Sequence, residues 1–401
     1  MENKKDNTCT VCKEKRKKFM ENKKDNTCTV CKDERDKNPA DSNAVLATYL
    51  DKITGKDPDE FYTETISLSD LRPGDILTFS GKGEKSLITK LILCFTNSWI
   101  SHGALFYQHT PETVLADAGT SGIHGHLVNE IPDERVAYVS RLTKKSSICD
   151  KDSFYDESEM VSVLAAARGY LEQDLSYPYM DLVFLAMILL YKDHSKSGFE
   201  QSAIIGLLRI LSAELKKLLD EKVRHNYTMV CSSYVYQCYL DASKKNSDFK
   251  LQLSRDADLR ANRNSNRAIN TLLELYAEHA AEYDYKTEIF RQSVNETNSY
   301  GTLEDWAKKA LESANGDYVK LLKNNELSGA IEDLLRTLMN VLGFAYTSIE
   351  DLIENARNMQ AMFVTPNDLC FNIENIQKIG KIHLKRIDDN MPIEQIKDYS
   401  K

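Results

Sequence analysis

Apolar positions follow two periods along this chain, first two residues and then three to four. Residues 66–79 read ISLSDLRPGDILTF, where the turn Arg72-Pro73-Gly74-Asp75 leads into a predicted strand at 76–79. An apolar segment at 87–95 predicts a short helix. In 99–107 (WISHGALFY), His102, Ala104 and Phe106 alternate with Ser101, Gly103, Leu105 and Tyr107, the mark of a strand with two different faces. Segments 114–118 and 136–142 predict further strands. His124 and His126 fall in a Gly-rich stretch, GIHGH, that predicts a turn and a binding loop.

Helical spacing then takes over. Segments 158–172, 182–191, 204–219 and 229–240 all predict helices, the third with Leu207, Leu208, Leu211, Leu215, Leu218 and Leu219 along one face. Residues 249–360 are predominantly helical in pattern, as in Ile269, Leu272, Leu273, Tyr276, Ala280 and Tyr283. Thr302 with Asp305, and Ser348 with Asp351, are acidic variants of a helix-start capping pattern. A turn, a short helix and a strand are expected over 363–381. Residues 44–61 predict a short helix and a linker.

The N-terminus stands apart from both patterns. MENKKDNTCTVCK at 1–13 recurs at 20–32, and the surrounding residues are Lys, Asp and Asn with few large apolar side chains. Such a segment buries no core of its own and is expected to be mobile unless tied down. Cys9, Cys12, Cys28 and Cys31 have the spacing of a four-cysteine zinc site, so a structural zinc is one reading. A single duplicated CTVC, arising as a copied start, gives the same spacing without a metal.

Composition narrows the field. The 401 residues are 42% hydrophobic and 28% charged, ordinary for a globular chain, and the net charge of -9 argues against a general nucleic-acid binder. No signal-like apolar core opens the chain, and the longest apolar run, ten residues at 182–191, falls short of the roughly 20 that span a bilayer. A cytoplasmic protein is expected. That run reads as a buried helix or, alternatively, as a contact with lipid. Nine cysteines, an odd number without a signal sequence, favour free thiols.

Among those thiols Cys231 is the best placed for chemistry. It follows HNYTMV and opens a helix with apolar or aromatic residues at 234, 235, 238 and 239. A helix start favours a thiolate, and its backbone N–H groups can serve an oxyanion. A base is then needed. Of eight histidines, His102 sits in a strand between small residues that let another segment approach. The residues alone leave this pair open, since buried cysteines are commonly inert and strand histidines commonly just hydrogen-bonded.

At these residues the chain resembles the circularly permuted papain-like amidases of the YiiX/YaeF type, relatives of the NlpC peptidases. LRPGDILTF (71–79) is similar to that family's opening Gly-Asp strand, and WISHGALFY (99–107) to its histidine strand. YTMVCSSYVYQCY (227–239) is similar to its nucleophile helix, and TPNDLCFNIENIQKIGKI (365–382) to its closing segment. The histidine precedes the cysteine, as the permuted group requires. The resemblance covers about 65–245 and 363–384, not the duplicated N-terminus or the block 249–360.

The resemblance implies a cysteine hydrolase acting by acyl transfer without a cofactor. Cys231 would be the nucleophile, His102 the base and Asp117 the third member, although relatives often carry the longer Glu there. Asp117 can equally be an ordinary strand-end acid. Tyr179, Asp181 and Ser232 would contact substrate, and Asp181 can instead cap the following helix. The substrate expected is a peptide-like amide. A lipid acyl bond, with helices at 182–219 lining a groove, is the alternative, and a non-catalytic scaffold is a third reading. The expected fold is α+β, a small antiparallel sheet packed on the nucleophile helix. A catalytic core at 44–248 with a helical insertion at 182–223 would be followed by a helical insertion at 249–360. A return segment at 361–385 and a tail at 386–401 would complete the chain.

Overall fold

A computed structural model describes residues 53–84, 86–119, 122–144, 154–173, 180–192, 201–220, 230–254, 271–280, 325–387 and 390–399. All belong to the unit Val45–Lys401. The duplicated segment with Cys9, Cys12, Cys28 and Cys31, the Thr302/Asp305 cap and Tyr179 lie outside the described residues.

Five antiparallel strands form one sheet: β1 (Ile76–Ser80), β2 (Ile100–Gln108), β3 (Val114–Gly119), β4 (Gly122–Leu142) and β5 (Ile376–Arg386). Each strand pairs with the next, and β1 also pairs with β4, so β1, β2, β3 and the long β4 close a circuit. The expected break before residue 136 is absent. Instead, β4 runs unbroken from Gly122, and His124 and His126 are strand residues paired with β3 rather than loop residues. Two glycines and a polar stretch hid their alternation with Val128. Gly125 leaves room for Ile396, whose Cδ1 a Cβ there would approach to 2.6 Å. β4 bulges against β5: Leu384 faces both Glu130 and Arg135, and Asp133, within the bulge, has φ of 64°. Bulges re-aim side chains, and this one turns Arg135 toward the site.

The two faces of the sheet divide cleanly. Leu77, Ala104, Phe106, Leu115, Val128 and Leu384 share one apolar cluster inside the circuit. Their neighbours Ile76, Leu105, Tyr107 and Ala116 pack outward with Tyr234, Val235 and Tyr239 of a helix that begins at Cys231. The expected tail joins this second cluster through Met391, Ile396 and Tyr399.

Nine α-helices lie among the described residues: α1 (Leu87–Thr96), α2 (Val161–Leu171), α3 (Met180–Tyr191), α4 (Gln201–Asp220), α5 (Cys231–Ser243), α6 (Leu272–His279), α7 (Asn325–Val341), α8 (Ile349–Met362) and α9 (Pro366–Phe371). The Ser348 hydroxyl caps α8 by accepting from Asp351 N, as the sequence pattern predicts. Helices α1, α3, α4, α6, α7 and α8 share a core separate from the sheet. The apolar run of α3 packs into that core, with every residue from 183 to 191 buried, as the buried-helix reading expects. No helix among the described residues is long and apolar enough to cross a membrane. The architecture is mixed α and β, a small antiparallel sheet with helices around it.

Candidate active site

Four strands carry the same motif on their inner face, an apolar stretch that turns polar at one end. On β2, Phe106 and Ala104 lead to His102; on β3, Leu115 leads to Asp117; on β5, Ile382 and Leu384 lead to Arg386. On β4, Val128 leads to His126, which stands opposite Leu115. Period-two alternation thus delivers four polar side chains to one end of the closed sheet.

They converge on Asp117, which is 2% exposed. His102 Nε2 donates to its Oδ2 at 2.7 Å, and His126 Nε2 to its Oδ1 at 3.0 Å. Arg386 Nη2 also donates to Oδ2. Burial alone would raise the carboxyl pKa, but His102, His126 and Arg386 together hold it far below the usual carboxylate range. Asp117, shorter than Glu, nevertheless reaches the ring.

Cys231 comes to His102 because two backbones approach closely. A Cβ on Gly103 would stand 3.6 Å from Ser232 Cα and 3.1 Å from Leu369 Cδ1, so a glycine here places β2 in close contact with the start of α5 without crowding Leu369. With Nε2 committed to Asp117, Nδ1 is the ring nitrogen left for the thiol. Burial pulls the His102 pKa down, but the neighbouring Cys231 and Asp117 outweigh it and raise it to about 9. Val230 precedes the helix in an extended conformation and offers no side-chain cap. The first-turn N–H groups at Cys231 and Ser232 therefore stay available to a negative charge.

The other described thiols lack this setting. Burial pushes Cys94 up to about 12 and Cys370 up to about 11, and drives Cys238 upward as well. A cavity of about 370 Å³ opens on Cys231, His102 and Asp117. Ile92, Phe184 and Val230 give it an apolar wall, while Glu84, Arg135, Asp181 and Arg386 stud the rest.

No family model matches the chain, and no curated protein matches its sequence. The site therefore has to be read from its own geometry.

The sequence-predicted residues divide as follows. Cys231, His102 and Asp117 come together. Asp181 sits in the first turn of α3 rather than at its cap and faces the cavity, where the surrounding walls raise its carboxyl pKa against the pull of His102. Ser232 is fully buried and its hydroxyl donates to Val364 O at 2.6 Å, so only its backbone N–H can meet a ligand. Among the described residues no group of His, Cys, Asp or Glu is arranged to hold a metal ion. Sequence reasoning missed three members of the site. His126 and Arg386 were legible only as the polar ends of alternating strands. Arg135 depends on the β4 bulge. Its Nη2 donates to Ser101 Oγ at 2.8 Å and its guanidinium lies 5.2 Å from the centre of Phe79, the ring beside His102.

Proposed function

We propose that this chain is a thiol hydrolase working by acyl transfer on a permuted papain-like fold. The observation that carries the reading is the chain of contacts from Cys231, at an uncapped helix start, through His102 to Asp117. The order along the sequence, with the histidine strand ahead of the nucleophile helix, supports the permuted topology.

The chemistry follows from the placement of each group. His102, held by Asp117, takes the Cys231 proton, so a thiolate faces an imidazolium. The sulfur attacks a carbonyl carbon, and the first-turn N–H groups of α5 receive the oxygen's negative charge. The imidazolium gives its proton to the leaving amine or alcohol as the bond to it breaks. Water, deprotonated by His102, then releases the acyl group and restores the thiol. A peptide-like amide is the substrate class proposed first. The apolar wall formed by Ile92, Phe184 and Val230 favours an acyl chain as the second reading.

Alkylation by iodoacetamide, followed cysteine by cysteine, tests the mechanism. Cys231 is expected to react faster at pH 6 than Cys94, Cys238 or Cys370. His102→Ala should return it to ordinary thiol behaviour, about a hundredfold slower at that pH, because a free thiol ionises near pH 8.5. Uniform slow labelling of all four in the unmodified protein would instead favour a scaffold.

A further inference from the structure

Asp117 carries two histidines, and only one of them reaches the nucleophile. The His126 side chain is 4% exposed, and its Nδ1 is buried without a hydrogen-bond partner. Its hydrogen bond from Nε2 to Asp117 Oδ1 is therefore what orients the ring, and the ring has no second partner at Nδ1 to draw it away.

Why a carboxylate should need such a donor follows from its own freedom. One hydrogen bond, from His102 to Oδ2, leaves the group able to turn about its Cβ–Cγ bond. Donors on both oxygens fix the plane. Arg386 strengthens Oδ2 but comes from an arginine that is 44% exposed, a looser anchor than a strand-borne ring. His126 is on the strand paired directly with β3, facing Leu115, two residues before Asp117.

We propose that His126 is a positioning residue: it holds Asp117 Oδ1 so that Oδ2 stays on His102 Nε2 while Nδ1 of His102 exchanges a proton with Cys231. The inference rests on the reading of Cys231 and His102 as nucleophile and base. The titratable and charged groups around this cluster are Arg386 and Lys385 on β5, His124, Glu134 and Arg135 on β4, Glu84 before α1, Asp181 on α3 and Cys231 on α5.

The test is the pH profile of Cys231 alkylation by iodoacetamide between pH 5 and 10, in the full chain. The unmodified protein is compared with His126→Ala, His126→Gln, Asp117→Ala and the Asp117→Ala/His126→Ala double variant, each checked for folding by thermal melting. His126→Ala is expected to move the acid limb about one pH unit upward, about tenfold slower at pH 6, with rates converging at pH 10. His126→Gln, whose amide can still donate to Oδ1, should recover most of the loss. On the Asp117→Ala background, His126→Ala should add nothing.

A His126→Ala profile superimposed on the unmodified one, while Asp117→Ala is slow, would overturn the inference and leave the Cys231/His102 reading standing. So would a loss that Gln does not recover and that adds in full to Asp117→Ala. If Cys231 of the unmodified protein reacts no faster than Cys94, the reading of the site falls, and this inference with it.

Discussion

Asp117 and Asp333 are both buried carboxylates with a cation and a hydroxyl or ring donor at hand, yet they stand in very different company. Asp117 closes one end of the sheet, beside a thiol and a cavity. Asp333 lies between α7 and α4, where Lys216 donates to it at 2.6 Å and the Ser212 hydroxyl also donates. None of Asp333, Lys216 and Ser212 lines the cavity that opens on Cys231. A third carboxylate, Asp75, is 1% exposed and held by Arg141 through two bonds of 2.7 Å, and it does not line the cavity. Burial and pairing alone therefore do not mark function. What separates Asp117 is that its pairing partner, His102, also neighbours a thiol, Cys231.

That distinction breaks first on stability against reactivity. Asp75→Asn leaves Arg141 buried without its counter-charge and is expected to cost about 3–5 kcal/mol of folding stability. Asp333→Ala, whose lysine is 39% exposed, should cost only about 1 kcal/mol. Urea denaturation measures both losses, and Cys231 alkylation in the folded fraction should stay at the unmodified rate in each. A slowed Cys231 in either variant would mean that the site is coupled to the scaffold pairs.

The same contrast has a pH signature. His102 binds its proton more tightly folded than unfolded, its pKa rising from 6.5 to about 9 against the opposing pull of burial. Its contribution to stability is thus complete below about pH 6.5 and is lost as the pH rises toward 9. Asp117 has the opposite sign: its depressed pKa contributes above about pH 4, and that contribution is lost on further acidification. Urea midpoints taken from pH 6 to 9.5 should fall in the unmodified protein and fall less steeply in Asp117→Asn, where Cys231 still favours the His102 proton. An equal slope in the two would remove Asp117 as the group that holds the His102 proton.

How far the residues themselves announce this arrangement differs between its parts. The strand at 76–79 and the helix opening at Cys231 are legible because apolar residues recur along both, at 76, 77 and 79 and at 234, 235, 238 and 239, and Pro73-Gly74 marks the turn before the strand. Cys231 and His102 could be named, since a helix start and small neighbours are local features. His126 reads locally only as a binding-loop residue. Its strand is interrupted by glycines and polar residues, and its role exists only through pairing with β3, a contact between segments. Arg386 was assigned to a tail because its alternation with Leu384 ends where the apolar signal ends. The helical core at α3 and α4 was legible as apolar, but whether those faces meet protein or lipid is decided by partners more than a hundred residues away, such as Leu334 and Leu338 of α7.

The finest test of the comparison uses two glycines. A Cβ on Gly103 would meet Leu369 Cδ1 at 3.1 Å and Ser232 Cα of α5 at 3.6 Å, whereas a Cβ on Gly169, in α2, meets nothing within 4 Å. Gly169→Ala should stabilise the protein by about 0.5–1 kcal/mol through helix propensity and leave Cys231 reactivity unchanged. Gly103→Ala must push Leu369 or the start of α5 aside by a few tenths of an ångström, at about 1 kcal/mol. Because the thiol rides on α5 and the base on β2, that small displacement acts along the Cys231–His102 line. Alkylation of Cys231 at pH 6 should slow severalfold while melting shifts by only a few degrees. If Leu369 alone yields, the rate will stay put and the melting shift will appear by itself. The position of α5 would then be set by its buried tyrosines, Tyr234 and Tyr239, rather than by the glycine contact at its first turn.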